Sequence, residues 1–391
     1  MLARIYLDNS TTTRPSEKTV SKMLPFFYER WGAPSSPHTM GQELHPAIEE
    51  SLRSIFTLVG AKETEGFVFA SSGAEAVNHV FQAVYHDVTR LTGKNQFVVS
   101  NIDEAPAMMA IGRLEEWTCV GKMLKANSSG WISSEAIAEA ITPRTALVSL
   151  SWANGLTGVV NPIAEISAVC KEKGVLFHVD ATHVLGKFFF GLEEIKPSFL
   201  TFNGDNLHAP KGTGGLFIKD GVKCSSFILG GMDQGGRRAG VLNVPALIGL
   251  GEAAREALDA RDLVCTEVAR LRDFFETEVT SQIKDAQVFF QNQERLPNIA
   301  AIAFPGIANE ALLYALNRKG VYASIGGGNF QQIGLILMAS GINETLAHST
   351  LSFSFSRETT EDDVTRAIDI IKECVSRLRK VSSQFFNSTE V

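Results

Sequence analysis

The stretch FHVDATHVLGK, residues 177–187, decides the fold class. An apolar run ends at a carboxylate, Asp180, and a short polar turn follows, which is typical of a buried parallel strand leaving a sheet. Similar apolar runs and helical stretches alternate over the first 250 residues, which predicts a doubly wound α/β domain. Ligands of such sheets bind beyond the carboxyl ends of the strands. The predicted strands are 66–70, 96–101, 146–152, 175–180, 199–203 and 215–219, and the predicted helices are 74–92, 105–116, 134–141 and 163–173.

The overall composition limits the possible functions. The chain has 391 residues, of which 45% are hydrophobic, and at about 150 residues per domain it is long enough for two or three domains. Its formal charge of −7 gives no basic excess for nucleic acid, and no apolar run is long enough for a membrane span. The five cysteines are scattered without a CxxC pair, and the N-terminal stretch is not a secretory signal. We therefore expect a cytoplasmic protein without a zinc or disulfide framework.

The sequence pattern changes after residue 241. Strand and helix patterns no longer alternate regularly there, which is typical of an α+β domain. Residues 245–275 predict one or two long helices, 298–304 and 351–356 predict strands, and 309–319 and 360–378 predict helices. A second, smaller domain is therefore expected.

Three features of the larger unit are candidates for a binding site, and each has a structural alternative. SSGAEA at residues 71–76 follows a strand, so it is either an anion site at a helix N-terminus or a tight turn with a serine cap. Asp180 could hold a positive ring nitrogen of a cofactor, or it could cap a helix. Lys211 could be a Schiff-base amine or a surface lysine.

The remaining candidates are a pair of arginines, a loop and a group of histidines. Arg237 and Arg238 could bind an anion or lie in a solvated loop, and the glycines of 325–329 could form a lid or a turn. His178, His183, Asp205 and His208 match no standard metal spacing, so we expect no metal site.

Taken together, eight ordered segments resemble the NifS/IscS-type cysteine desulfurases, which belong to the class V aminotransferases. These are fold-type I enzymes that depend on pyridoxal phosphate (PLP). The segments are YLDNSTTTRP (6–15), WGAPSSPHTMGQE (31–43), FVFASSGAEAVN (67–78), FHVDATHVLGK (177–187), APKGTGGLFI (209–218), RRAGVLNVPALIGLGEA (237–253), LPNIAAIAFPGI (296–307) and FSFSRETTEDDV (353–364).

This resemblance implies an architecture. The expected large PLP-type domain spans 16–250 and has a seven-stranded, mostly parallel sheet, whereas 1–15 and 251–391 form a small α+β domain. A homodimer with sites at the subunit interface is also implied, as is a partner protein of sulfur transfer or iron–sulfur assembly.

The resemblance also implies that the cofactor's anchor is absent. The family's Schiff-base lysine corresponds to Asn206, and an amide cannot form an imine. The family's neighbouring histidine corresponds to Asp205, a carboxylate that would repel the PLP phosphate. Asn203 replaces a serine ligand of that phosphate, and Val241 replaces a threonine that reaches the partner's phosphate.

Further departures concern the ring, the substrate and the nucleophile. Glu104 corresponds to the histidine that stacks on the ring, and Gly155, next to Asn154, corresponds to the asparagine that contacts the phenolic oxygen. Ser352 takes the place of the arginine that binds the substrate carboxylate. The loop around Gly326 has no cysteine to receive the sulfur. The cofactor positions that keep a suitable residue are Ser72, Gly73, Ala74, Asp180 and His183.

Three hypotheses follow from this pattern. In the first, the chain keeps the NifS-like fold and dimer, lacks ordinary desulfurase activity, binds PLP weakly or not at all, and acts as a binding or regulatory protein. In the second, it is a working PLP enzyme of the desulfurase or aminotransferase type that uses Lys211 as a displaced lysine. In the third, the remodelled pocket around Asp180, His183, Asp205 and His208 binds a different small molecule.

Overall fold

The computed structural model describes residues 4–62, 66–327 and 331–388. No helix within these ranges is both long and apolar enough to cross a bilayer. Fourteen strands are formed in the described ranges: β1 Ile5–Tyr6, β2 Gly66–Ala70, β3 Gln96–Ser100, β4 Val120–Leu124, β5 Thr145–Ser151, β6 Leu176–Asp180, β7 Phe199–Asn203, β8 Gly214–Ile218, β9 Gln287–Val288, β10 Ile299–Ala303, β11 Val321–Tyr322, β12 Gly326–Gly327, β13 Gln331–Gln332 and β14 Thr350–Ser354.

The helices of the described ranges are α1 Glu17–Met23, α2 Pro25–Tyr28, α3 Thr39–Gln42, α4 His45–Val59, α5 Gly73–Val84, α6 Arg90–Thr92, α7 Ala105–Glu115, α8 Ser134–Ala140, α9 Ile163–Glu172, α10 Leu192–Ile195, α11 Val244–Leu263, α12 Ala269–Gln282, α13 Asn309–Lys319, α14 Ile333–Ala339, α15 Glu344–Ala347 and α16 Glu361–Ser388. Short π-helical segments, Tyr85–Thr89 and Val264–Val268, join α5 to α6 and α11 to α12. The sequence predicts one or two long helices for 245–275, and the structure has two, α11 and the first part of α12.

A seven-stranded sheet forms the centre of the larger unit, in the order β2-β8-β7-β6-β5-β3-β4. The five strands from β7 to β4 are parallel, and β8 runs antiparallel to both of its neighbours. Helices α4, α9 and α11 pack on one face through residues such as Ile55, Ile166 and Leu250, and α5 and α7 cover the other. This arrangement confirms the predicted α/β fold with a seven-stranded, mostly parallel sheet.

The smaller unit has its own core. Strands β14, β10 and β9 form an antiparallel sheet against α12 and α16, with Phe275, Phe353 and Phe355 among the buried side chains. Ile5 and Leu7 of the N-terminal segment belong to the same core, because β1 pairs with β11. The proposed domain boundary at residue 250 lies within α11, whose Ala253 and Ala257 still pack in the larger core.

Candidate functional site

A cavity of about 210 Å³ lies beyond the carboxyl ends of the central strands. Each strand delivers residues to it from the turn that follows: Glu104 after β3, Gly155 after β5, His183 after β6 and Asn206 after β7. This is where the sequence predicts the ligand site of a doubly wound sheet. Gly326, in β12, which pairs antiparallel with β13, also lines the cavity.

Glu104 and His183 form a direct pair in this cavity. The Nε2 atom of His183 lies 3.0 Å from Oε1 of Glu104, and the two side chains are 9% and 24% exposed. The backbone N–H of Glu104 donates to the Ser151 hydroxyl at 3.3 Å, which holds the start of α7 against the end of β5. The second ring nitrogen, His183 Nδ1, is buried and has no hydrogen-bond partner among the described residues.

The His183 ring occupies the space beside Gly155. A Cβ atom built on Gly155 would lie 2.4 Å from both Cε1 and Nε2 of the imidazole. Real Cβ contacts are essentially never so short, so no other residue fits at position 155 while His183 keeps this rotamer. The residues at positions 104, 155 and 183 therefore form one packed unit.

Two buried carboxyl groups lie near this unit. Asp180 accepts from the Thr182 N–H at 2.9 Å, and burial raises its pKa, helped by the charge of Glu104 and opposed by His183. Asp180 does not itself line the cavity. Asp103 does, and its oxygens accept from the N–H groups of Ser100 at 2.6 Å and Ser151 at 2.7 Å, while burial raises its pKa to about 7.

The N-terminus of α5 is satisfied by the protein's own side chains. The Gly73 N–H donates to Asn203 Oδ1 at 3.1 Å, and Ser72 Oγ accepts from the Glu75 N–H at 3.1 Å. The Glu75 carboxylate accepts from the Ser71 N–H at 2.8 Å and from Arg238 Nε at 2.9 Å. Of the two readings of residues 71–76, the geometry therefore favours the serine cap, because a carboxylate of the chain already holds the place of an external anion. Ala74, in the first turn, is exposed.

Asn203 binds both Asp205 and Asn206. The Asn203 amide donates to Asp205 Oδ1 and, at 3.3 Å, to Asn206 Oδ1. The Asn206 amide donates to the Ser10 carbonyl at 2.7 Å, and Thr12 donates to Asp205 Oδ2 at 3.0 Å. The turn after β7 is thus fixed to the N-terminal segment by hydrogen bonds that leave these amides little spare capacity.

Several other candidates lie outside the cavity. Lys211 is exposed on the surface. Ser352 is buried in β14, and its hydroxyl donates to the Leu156 carbonyl at 2.7 Å. His178 lies inside the sheet between the hydroxyls of Ser149 and Thr201, each at 2.8 Å.

His208 also does not line this cavity, and its Nδ1 lies 2.8 Å from the Arg14 carbonyl. Among the described residues, no three His, Cys, Asp or Glu side chains come close enough to hold a metal ion. The predicted loop 325–329 is only partly described: Gly326 and Gly327 form β12, whereas residues 328 and 329 lie outside the described residues.

Sequence reasoning missed Lys187, which lines a second, smaller cavity of about 40 Å³ together with His208 and Arg357. Burial lowers the pKa of this lysine to about 8. Asn206 lies on the wall of both cavities. In the sequence, Lys187 follows Gly186 in the turn after Asp180, and such a Gly-Lys pair predicts no particular chemistry.

A family model, aminotransferase class-V, matches residues 5–367. The chain belongs to this family. Within it, a cysteine desulfurase of Gluconacetobacter diazotrophicus is 37% identical over 384 residues, with 97% of this chain and 95% of that protein covered. The cysteine desulfurase NifS of Azotobacter vinelandii is 36% identical over 388 residues, with 97% and 95% covered.

A solved structure titled NifS-like protein superimposes on this NifS-type chain with a TM-score of 0.90 at 26% identity, and covers 96% of this chain and 100% of that one. The NifS-type resemblance found in the sequence is therefore confirmed, as is the fold that it implies.

Members of this family depend on PLP, so the residues present can be compared with what that group needs. A Schiff base needs an amine, but no lysine is found among the described residues that line the cavity. A phosphate needs free donors, but the N–H groups of Ser71 and Gly73 are taken by Glu75 and Asn203. The residues of this cavity thus do not fit PLP in the way that the resemblance implies for an active desulfurase.

Proposed function

We propose that this chain is a NifS-like protein without ordinary desulfurase activity, which acts as a binding or regulatory protein linked to sulfur transfer or iron–sulfur assembly. The observation that carries the proposal is the Glu104–His183 pair at 3.0 Å, with the imidazole packed against Gly155. The polar groups on this wall of the cavity thus bind each other rather than being free for a cofactor.

The state of the cysteines supports the proposal. A persulfide forms on a thiolate, so a cysteine that receives sulfur needs an accessible thiol with a low pKa. Burial raises the pKa of all five thiols, and it raises those of Cys170 and Cys224 to about 12. None of the five lies between residues 265 and 374, where the resemblance implies the sulfur-accepting loop.

PLP is accordingly proposed to bind weakly or not at all. Asn206 offers no amine, and the Asp205 carboxylate lies beside it, where it would repel a phosphate. Of the positions that the resemblance implied for the cofactor, Ser72 and Gly73 are used in capping α5, and Asp180 does not line the cavity.

The alternative of an active PLP enzyme depends on Lys211. Its exposed position, away from the cavity, weighs against that alternative, because an imine would have to form outside the pocket that His183 lines. We retain it as the outcome that the experiment below can reveal.

We further propose a homodimer, built on an exposed apolar surface of the larger unit. Trp31, Leu229, Met232 and Val241 are 63, 83, 82 and 68% exposed, which is unusual for side chains of this size. Met232 and Val241 flank a groove of about 490 Å³ with Phe56, Phe67 and Phe69 at its base. A second copy that covers this surface would stabilise it at about 25 cal/mol per Å² of buried apolar area.

Absorbance and sulfide release test the proposed function together. The purified chain should stay colourless after incubation with PLP, and sulfide release from L-cysteine should not exceed that of free PLP. The cysteine desulfurase NifS of A. vinelandii, handled in the same way, is the control. A yellow protein with a borohydride-stable adduct on Lys211 would establish the alternative, and turnover above the free-PLP background would overturn the proposal.

A further inference from the structure

Most polar groups on the wall of the 210 Å³ cavity are already paired. The Asn154 side-chain oxygen accepts from the Leu156 N–H at 3.0 Å, and the Asn206 amide donates to the Ser10 carbonyl. Both oxygens of Asp103 accept from backbone N–H groups. Glu104 differs, because only its Oε1 has a described partner, His183, and its second oxygen remains available.

The unused position in this cavity is an acceptor. An ionised carboxylate only accepts hydrogen bonds, so the second oxygen of Glu104 offers lone pairs and no proton. The second ring nitrogen of His183, Nδ1, has no partner among the described residues, but it is itself buried and offers no surface to a ligand. A ligand that satisfies Glu104 Oε2 must therefore be a hydrogen-bond donor.

The charge of the cavity selects the same kind of ligand. Glu104 and Asp103 line it, and burial raises the pKa of Asp103 to about 7, so Glu104 is the carboxylate that supplies the charge at neutral pH. No lysine or arginine is present among the lining residues within the described ranges. A site of this composition favours cations over phosphates and carboxylates.

The volume sets the size of the ligand. A cavity of about 210 Å³ suits a small molecule. Leu156 and Ile336 on the wall provide apolar contacts for a short alkyl chain.

We propose that this cavity binds a small primary amine as its ammonium ion, with Glu104 as the counter-charge, and excludes molecules that carry an acidic group. The inference rests on the proposed function, because PLP bound in the same cavity would take the space of the amine. It goes further by naming the chemical class of the ligand.

Isothermal titration with three molecules of equal chain length tests this: n-butylamine, n-butanol and butyrate. We expect n-butylamine to bind at least about tenfold more tightly than n-butanol, because it forms a charge-assisted hydrogen bond, and butyrate not to bind. The comparison uses the unmodified chain, so it does not depend on the folding of a variant.

A pair of variants then locates the site. Glu104→Gln keeps the size of the side chain and should weaken butylamine binding at least about tenfold. Glu116→Gln removes an exposed carboxylate just beyond the end of the same helix, paired with Arg113, and should leave binding unchanged.

Butyrate binding as tight as that of butylamine, or butylamine binding that Glu104→Gln does not weaken, would overturn the inference. Absorbance after PLP addition to the same samples distinguishes a failure of the amine site from a failure of the proposed function. A colourless protein that ignores butylamine contradicts only the amine site, whereas a yellow protein contradicts the proposed function and the amine site with it.

Discussion

The imidazole of His183 lies where any side chain at position 155 would begin, 2.4 Å from an ideal Cβ on Gly155. Position 155 therefore has room only for a glycine while His183 lies there. In turn, His183 can pair with Glu104 at 3.0 Å because position 155 has no side chain. In the NifS-type resemblance, position 155 is the place of an asparagine and position 183 that of a glutamine. The residues at the two positions are therefore coupled by packing.

Gly155→Ala should lower the free energy of unfolding by about 1–3 kcal/mol, the usual cost of overpacking a buried site. In a His183→Ala background the same substitution should cost much less, because the ring is gone. Chemical denaturation of the four proteins measures the coupling between the two sites. Equal costs in both backgrounds would mean that His183 does not occupy the space beside Gly155.

Glu75→Gln should destabilise the chain by roughly 1–3 kcal/mol, because Glu75 accepts from both Arg238 and the Ser71 N–H at the start of α5. Burial raises the pKa of Glu75, but its hydrogen bonds with Arg238 and Ser71 outweigh this and lower it overall. The stabilisation should therefore be present at neutral pH and lost on acidification. Thermal melts at pH 7 and pH 3 test this: Glu75→Gln should approach the unmodified protein at the lower pH, and a gap that stays constant contradicts the interaction.

Lys187→Met should raise stability at neutral pH. Burial lowers the pKa of Lys187 from 10.5 to about 8, so between these values the unfolded chain binds more protons than the folded chain, and stability rises with pH. The variant should lack this rise between pH 8 and pH 10.5.

Lys211→Met is the matched control, since Lys211 is exposed, and it should leave both the stability and its pH dependence unchanged. Denaturant midpoints at pH 7.5, 9 and 10.5 provide the measurement. A Lys187→Met profile parallel to that of the unmodified protein would show that the lysine is not desolvated.

Met232→Glu with Val241→Glu should convert the proposed dimer into a monomer, because two charges would have to be buried in an apolar interface. Light scattering should give twice the chain mass of 42.5 kDa for the unmodified protein and a single chain mass for the double variant. Leu91→Glu, at an equally exposed position on α6, should have no effect. A monomeric unmodified protein would refute the dimer.

Much of the fold could be predicted from the sequence because its central strands are buried on both faces and appear as short apolar runs. The edge strand β4 could not, since Val120–Leu124 contains Gly121 and Lys122 and is mostly exposed. The order of the motifs located the site, but the contact of His183 with Glu104 depends on how two βα turns approach each other. The hydrogen bond of Ser352 to Leu156 and the lowered pKa of Lys187 depend on tertiary packing in the same way.

The pairing of β1 with β11, and of Asn9 with Ser354, has a consequence for synthesis on the ribosome. Asn9 and its partner Ser354 are 345 positions apart. At about 5–20 residues per second, the N-terminal segment must wait roughly 17–70 s before its partner is translated. Asn206, which donates to the Ser10 carbonyl, is translated well before Ser354. The wall of the candidate cavity is therefore completed only near the end of translation, and a nascent chain halted before β14 would lack the strand that holds this segment in place.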